Sequence, residues 1–186
     1  MKIKNILLTG AATLAMVSCN DFLEVDAPSA YTPDFVFSQK SEIERALNGV
    51  YTQALVNDLY GQAYQLTFNL NSDVDIQISS TSSHSHTSYA RFDCDELGGD
   101  IYKFWTAAYS LIEYANKFIY SAERSPLYDT SDTQLMQWIG EAKCLRAMAY
   151  HDLVVMFGDV PYTDKPASTL TSGFVIPVTD REQIQQ

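Results

Sequence analysis

The 186-residue chain has 46% hydrophobic and 19% charged residues and a net charge of −11. This apolar content is sufficient for a folded core and excludes an intrinsically disordered chain. The acidic charge repels nucleic acid, so a nucleic-acid partner is excluded. Two cysteines follow Cys19 in unlike surroundings, Cys94 in an acidic stretch and Cys144 in an apolar helical run. A disulfide framework is therefore not expected, and we predict Cys144 to be a small core residue.

The N-terminus predicts a lipoprotein signal peptide at 1–18. Two lysines precede twelve uncharged residues, and a small serine comes directly before Cys19. This is the order of a secretory signal, and twelve residues are fewer than the roughly 20 that a membrane-spanning helix needs. Because a cysteine follows the small residue, we expect Cys19 to become the acylated N-terminus, anchored to a bilayer. The alternative is a plain secreted protein in which Cys19 is incidental.

A tether at 19–40 is predicted to lead into a helical domain at 41–186. The first helix should begin at Ser41, where Ser41 and Glu44 would form a capping box. Gly49, inside this helix, would permit the close approach of a neighbouring helix. The apolar residues recur at spacings of three and four, which predicts the buried side Ile43, Leu47, Val50 and Ala54.

A long polar insertion separates the first helix from the next. Between Gly61 and Gly99 the helical period is lost, and residues 79–88 are almost entirely Ser, Thr and His. Loops of this length without their own core are usually functional or disordered. We therefore expect the insertion to face a ligand.

A second helix is predicted from about Asp100 to Glu123. Its core side should hold Trp105, Ala108, Tyr109, Ile112, Ala115, Asn116 and Ile119. Within this set, Trp105 is expected to be buried.

A third helix should start after Ser131 or Asp132 and end at Gly158. Its apolar residues at helical spacing are Leu135, Ile139, Ala142, Leu145, Ala149, Leu153 and Met156. Two long helices with a short connection form an antiparallel hairpin, the repeating unit of helical solenoids. A last helix, capped by Thr179 or Asp180, should begin near the end of the chain. The fold class is therefore all-α.

The order and spacing of residues along most of the chain resemble the SusD/RagB family of Bacteroidetes surface lipoproteins. Matching positions are 19–23, 48–51 and 72–73, then Trp105, Tyr109, Ile112, Ala115 and Asn116, and finally 149–150, 152–153 and 157–161. The most specific stretch is Gly140, Glu141, Ala142, Lys143, Cys144, Leu145, Arg146 and Ala147.

This resemblance implies tetratricopeptide-like helix pairs and an outer-membrane lipoprotein without catalytic activity. It also implies a lid on a SusC-like TonB-dependent β-barrel transporter that helps to capture an oligosaccharide or another nutrient. Family members run to several hundred residues, so the chain corresponds to about their first third. The family also includes peptide-binding lids, and a peptide-binding lid therefore stays open as an alternative.

Candidate sugar-binding residues lie in the insertion. Sugar binding combines flat apolar rings with fixed polar groups, and Tyr89, Arg91 and Phe92 fit that requirement. Asp73 could orient a sugar hydroxyl. The structural alternative is that the two rings pin the insertion to the helices, that Arg91 pairs with a carboxylate such as Asp93, and that Asp73 caps a turn.

No cofactor or metal site is predicted. His84 and His86 have a spacing that zinc sites use, but two ligands do not make a site. The acidic stretch does not follow the EF-hand pattern, and its carboxylates are Asp93, Asp95, Glu96 and Asp100. Nucleophile elbows and phosphate-binding glycine loops are absent from the sequence as well. Because paired carboxylates are recognised in space and not in sequence, a surface glycoside hydrolase stays open, as does a purely structural scaffold.

Overall fold

Within the part of the chain that the computed structural model describes, residues 32–62, 64–65, 99–171 and 175–185, the fold is mostly helical. This confirms the all-α prediction. The helices are α1 Pro33–Val36, α2 Lys40–Ala54, α3 Gly99–Ala122, α4 Thr133–Phe157 and α5 Arg181–Ile184. A π-helical turn, Asn57–Gly61, follows α2, and a 3₁₀ turn occupies Ala167–Thr169. Two short strands, β1 Val160–Pro161 and β2 Val178–Thr179, pair antiparallel, with Val160 opposite Thr179.

All of these elements lie in one compact unit, Pro33–Gln186. None of the helices described has the length and apolar character that crossing a membrane requires.

Helices α3 and α4 form the antiparallel hairpin that the sequence predicts. Near their connection, Lys143 Nζ lies 3.1 Å from Glu123 Oε1, and at the far end the rings of Trp105 and Phe157 are 4.9 Å apart. Contacting residues therefore have rising sequence positions on one helix and falling positions on the other, as in an antiparallel pair. Helix α2 packs across both members of the hairpin. Its predicted buried side is confirmed by Ile43, Leu47, Val50 and Ala54.

The start of α2 differs from the prediction. Gln39, in extended conformation, is the N-cap residue, and its carbonyl accepts from the N–H groups of Glu42 and Ile43, both at 3.1 Å. Ser41 already lies inside the helix, so the predicted capping box with Glu44 is wrong. Capping needs a residue that has not yet entered the helix, and here that residue is Gln39.

Helix α4 begins where the sequence predicts. Asp132 is the N-cap, and its Oδ1 accepts from the N–H groups of Gln134 and Leu135, both at 3.2 Å. The hydrogen bond from the Lys40 ammonium, together with these N–H groups, holds the pKa of Asp132 below its usual value. The predicted cap of α5 is also found, because Asp180 accepts from the N–H of Glu182 at 2.7 Å.

The core side of α4 is confirmed for the six predicted residues from Leu135 to Leu153, whereas Met156 is only partly buried. Cys144 is exposed, so its assignment to the core is wrong. It follows the buried Ala142 by two positions, which places it about 200° around the helix, on the opposite face.

Helix α3 also corrects one prediction. Ala108, Ile112, Ala115, Asn116 and Ile119 are buried as expected, but Trp105 and Tyr109 are only partly covered. The fully buried aromatic residue is Phe104, which shares a helix face with Ala108, Leu111 and Ala115. The most deeply buried aromatic residue at this end of α3 is therefore Phe104, one position before the predicted Trp105.

A Cβ at Gly49 would meet no atom within 4 Å. The predicted close approach of a neighbouring helix at Gly49 is therefore wrong, and this glycine only lowers the stability of the helix interior.

Gly158 ends α4 with a φ of 77°. We expect Gly158→Ala to lower the free energy of unfolding by about 1–2 kcal/mol, because a left-handed residue with a Cβ is strained. Gly49→Ala is the matched control and should raise it by about 0.5–1 kcal/mol. Urea denaturation of both variants measures the two changes in the free energy of unfolding. A Gly158→Ala variant more stable than the wild type would contradict the assignment of Gly158 as the end of α4.

Candidate ligand-binding surface

The ligand-binding residues predicted from the sequence lie outside the described residues. These are Asp73, Tyr89, Arg91 and Phe92, together with the lipidation site Cys19. The side chains of the histidine pair and of the acidic stretch are outside them as well: His84, His86, Asp93, Cys94, Asp95, Glu96 and Asp100. Their roles stay predictions. The described residues, however, form two polar clusters and one aromatic surface on the hairpin.

The first cluster, which we call the polar anchor, joins α3 and α4 to the segment after β1. Asn116 is fully buried, and its Nδ2 donates to the carbonyl oxygens of Thr163 at 3.1 Å and Lys165 at 3.2 Å. Its Oδ1 accepts from Arg146 Nη1 at 2.7 Å, and the same guanidinium nitrogen donates to the carbonyl of Asp164 at 3.3 Å. The buried side-chain amide of Asn116 therefore has protein partners for both its nitrogen and its oxygen.

Tyr150 completes the polar anchor from α4. Its hydroxyl donates to the Thr163 carbonyl at 2.9 Å and accepts from the Thr163 N–H at 2.8 Å. Burial raises the pKa of Tyr150 to about 12, so the hydroxyl keeps its proton at neutral pH. On α3, the Glu113 carboxylate accepts from the N–H of Ala167 at 3.0 Å. The segment that follows β1 is therefore fixed by side chains from both helices.

The second cluster attaches the end of α2 and the π-helical turn to α4. Tyr60 donates to Oδ2 of the buried Asp152 at 2.7 Å, and His151 Nδ1 lies 3.2 Å from Oδ1. Burial, followed by the bond to Asp152, raises the pKa of Tyr60 well above its usual value. Tyr51 donates to Glu141 Oε2 at 2.9 Å. These contacts are structural, since they join elements that are distant in sequence and leave both tyrosines protonated.

The aromatic surface runs along one face of α3, and we call it the aromatic strip. It is a shallow depression lined by Tyr102, Trp105, Thr106, Tyr109, Ser110, Glu113 and Tyr114. Tyr102 is 62% exposed and Tyr114 49% exposed, whereas Trp105 and Tyr109 are partly covered. At 100° per residue, these seven residues cover about half of the helix circumference, with Trp105 at one edge and Tyr114 at the other.

The two inner rings of the aromatic strip are held by contacts beneath them. Trp105 packs edge-on against Phe157 at 4.9 Å and lies 4.9 Å from the ring of Tyr109. Tyr109 donates its hydroxyl to the Pro161 carbonyl at 2.7 Å, and its ring lies at 90° to that of Tyr150. Burial raises the pKa of Tyr109, so this donor also keeps its proton. The strip therefore rests on the polar anchor and presents fixed rings with hydroxyl groups between them.

The sequence interpretation missed the aromatic strip because it assigned Trp105 and Tyr109 to the core. The available signal was the aromatic spacing itself, in which Tyr102, Trp105 and Tyr109 recur every three or four residues. Over the described ranges, no three His, Cys, Asp or Glu side chains lie close enough together to hold a metal ion.

Comparison with known proteins places these features in a family context. Residues 21–181 match the model of a SusD-like family described as "Starch-binding associating with outer membrane". SusD-like protein P2 of Formosa agariphila is 28% identical over 93% of this chain, and SusD-like protein P25 of the same organism is 24% identical over 89%. The chain spans about a third of the length of these curated relatives, 34% and 32% respectively.

Two solved structures from Bacteroides thetaiotaomicron share the fold. A SusD homologue superposes with a TM-score of 0.69 at 24% identity and covers 79% of this chain and 28% of its own. A SusD superfamily protein superposes with a TM-score of 0.64 at 20% identity, over 77% of this chain and 34% of its own. The helical arrangement described above is therefore that of about a third of each of these proteins.

Proposed function

Because the chain belongs to the SusD-like family, we propose that it captures glycan at the bacterial outer surface and passes it to a transporter without cleaving it. The observation that carries this proposal is the family match over residues 21–181, under a description that names starch binding and the outer membrane. The described hairpin supports it, since the hairpin has the fold of SusD homologues and exposes aromatic rings on α3.

The proposed arrangement has three parts. Cys19 carries the lipid anchor in the outer membrane, and a SusC-like TonB-dependent β-barrel is the partner that the protein covers as a lid. Asp73, Tyr89, Arg91 and Phe92 of the insertion contribute to the glycan site. Individual sugar contacts at an open surface are weak, and many anchored copies beside a transporter would raise the effective concentration of the ligand.

The anchor and the partner are tested together by mild-detergent purification of the protein from its own outer membrane. We expect the intact mass to show acylation at Cys19 and a large β-barrel protein to co-purify. Cys19→Ala should move the protein out of the membrane fraction, because stable anchoring depends on the acyl chains. Cys144→Ala is the matched control, since this exposed cysteine lies within the described helices and should not affect anchoring. A Cys19→Ala protein that stays in the membrane would refute the anchor.

Glycan incubation separates capture from hydrolysis. A binding protein should retain neutral polysaccharide and leave its chain length unchanged, whereas a surface glycoside hydrolase would shorten it. Shorter products that appear with the purified protein would therefore replace the proposed function with an enzymatic one. Retention of peptides in place of glycan would assign the protein to a peptide-binding lid.

A further inference from the structure

We propose that the aromatic strip of α3 is a binding surface for a neutral oligosaccharide, separate from the candidate residues of the insertion. This inference rests on the proposed glycan function and adds a location and a ligand class to it. The strip consists of Tyr102, Trp105, Tyr109 and Tyr114 with the polar residues Thr106, Ser110 and Glu113 between them.

The shape of the strip suits an extended sugar chain. Tyr102 and Tyr114 are twelve positions apart, which separates them by about 18 Å along the helix and by about 120° around its axis. Both outer rings are largely exposed, at 62% and 49%. A shallow depression that winds along the helix between these rings offers successive apolar faces to the C–H surfaces of sugars. A compact ligand would need a deeper pocket.

The inner rings are pre-organised for such contacts. Trp105 is held between Phe157 and Tyr109, and Tyr109 is fixed through its hydroxyl to the Pro161 carbonyl. Rings that are already ordered lose little conformational entropy on binding, and this is the main cost that weakens open sugar sites.

The polar groups between the rings decide the ligand class. Thr106 donates its hydroxyl to the Tyr102 carbonyl at 2.9 Å, which leaves the oxygen able to accept from a ligand. Glu113 lies in the same lining, but its carboxylate already accepts from the Ala167 N–H at 3.0 Å and lies 3.2 Å from Lys117 Nζ. With a chain charge of −11, a uronate or sulfated polymer would be repelled, whereas a neutral sugar hydroxyl can donate to the Thr106 oxygen. The strip therefore favours neutral hexose chains over acidic ones.

Affinity electrophoresis of the full chain tests the proposal, with soluble starch, laminarin or galactomannan cast in the gel and alginate as the acidic probe. We expect a neutral polymer to retard the wild type and alginate to leave its mobility unchanged. Tyr102→Ala and Tyr114→Ala should each weaken retention about three- to tenfold, because each removes one aromatic contact. Tyr128→Ala is the matched control, since Tyr128 is 41% exposed but lies in the α3–α4 connection.

The outcomes separate the strip from the proposed function. Retention by a neutral polymer that Tyr102→Ala and Tyr114→Ala leave unchanged would overturn the strip and keep the glycan function. No retention by any of the three neutral polymers would overturn both. Stronger retention by alginate than by the neutral polymers would overturn the ligand class and with it this proposal. Lower thermal stability of both variants without any change in retention would make the strip a packing surface and also overturn it.

Discussion

Phe104→Ala is expected to lower the free energy of unfolding by about 3–5 kcal/mol, the range for an aromatic side chain removed from a closed core. Phe104 has no exposed surface, and its ring stacks on that of Tyr64 at 6.4 Å. Because the side chain is fully enclosed, its truncation leaves a buried cavity, and this cavity adds to the cost. Urea denaturation followed by far-ultraviolet circular dichroism measures the change.

Two variants on the same helix serve as controls for Phe104→Ala. Tyr102→Ala, two positions earlier and 62% exposed, should change stability by no more than about 0.5 kcal/mol. Trp105→Ala should lie between the two, since its ring is only partly covered. A greater loss for Trp105→Ala than for Phe104→Ala would reverse the assignment of the core aromatic and return Trp105 to the position that the sequence predicts for it.

Asn116→Ala is expected to lower the free energy of unfolding by about 2–4 kcal/mol, because buried polar groups lose their partners. The substitution removes the acceptor of Arg146 and the donor to the carbonyls of Thr163 and Lys165. The loss of stability arises because the guanidinium and the two carbonyls stay in place without their hydrogen-bond partner. Hydrogen exchange should also show faster exchange of the Thr163 N–H, which the polar anchor holds.

Asn48→Ala is the matched control for Asn116→Ala. Asn48 is on the exposed side of α2, and Ala has the higher helix propensity, so stability should stay equal or rise by a few tenths of a kcal/mol. If the two asparagine variants behaved alike, the hydrogen bonds of Asn116 would contribute nothing net, and the segment after β1 would be held by Tyr150, Glu113 and packing.

The sequence predicts the ends and most of the buried side of α4, because each has a local signal. Asp132 supplies the cap, the apolar residues keep one spacing, and Gly158 supplies the left-handed end. Helix α3 is harder because it packs against both α2 and α4. A helix buried on two sides has a wide apolar face, so the pattern does not identify which of Phe104 and Trp105 is the deeper residue.

Only the side-chain members of the polar anchor could be recognised in the sequence. Asn116 could be recognised as a polar residue on an apolar face, and Arg146 lay in the stretch that carries the family resemblance. Their other partners are backbone carbonyls of Thr163, Asp164 and Lys165, which every residue possesses and no pattern marks. The partial exposure of Trp105 likewise depends on which residues pack against it in the fold, and the pattern of α3 alone does not specify those residues.

The joints between the first helices and the hairpin connect residues that are far apart along the chain. Ser125 Oγ donates to the Phe37 carbonyl, Tyr51 to Glu141 and Tyr60 to Asp152, over 88, 90 and 92 positions respectively. The entropy lost when a connection is closed grows only with the logarithm of its length, so doubling that length costs about 0.6 kcal/mol. The segment between the π-helical turn and α3 can therefore gain or lose many residues at little cost to the fold.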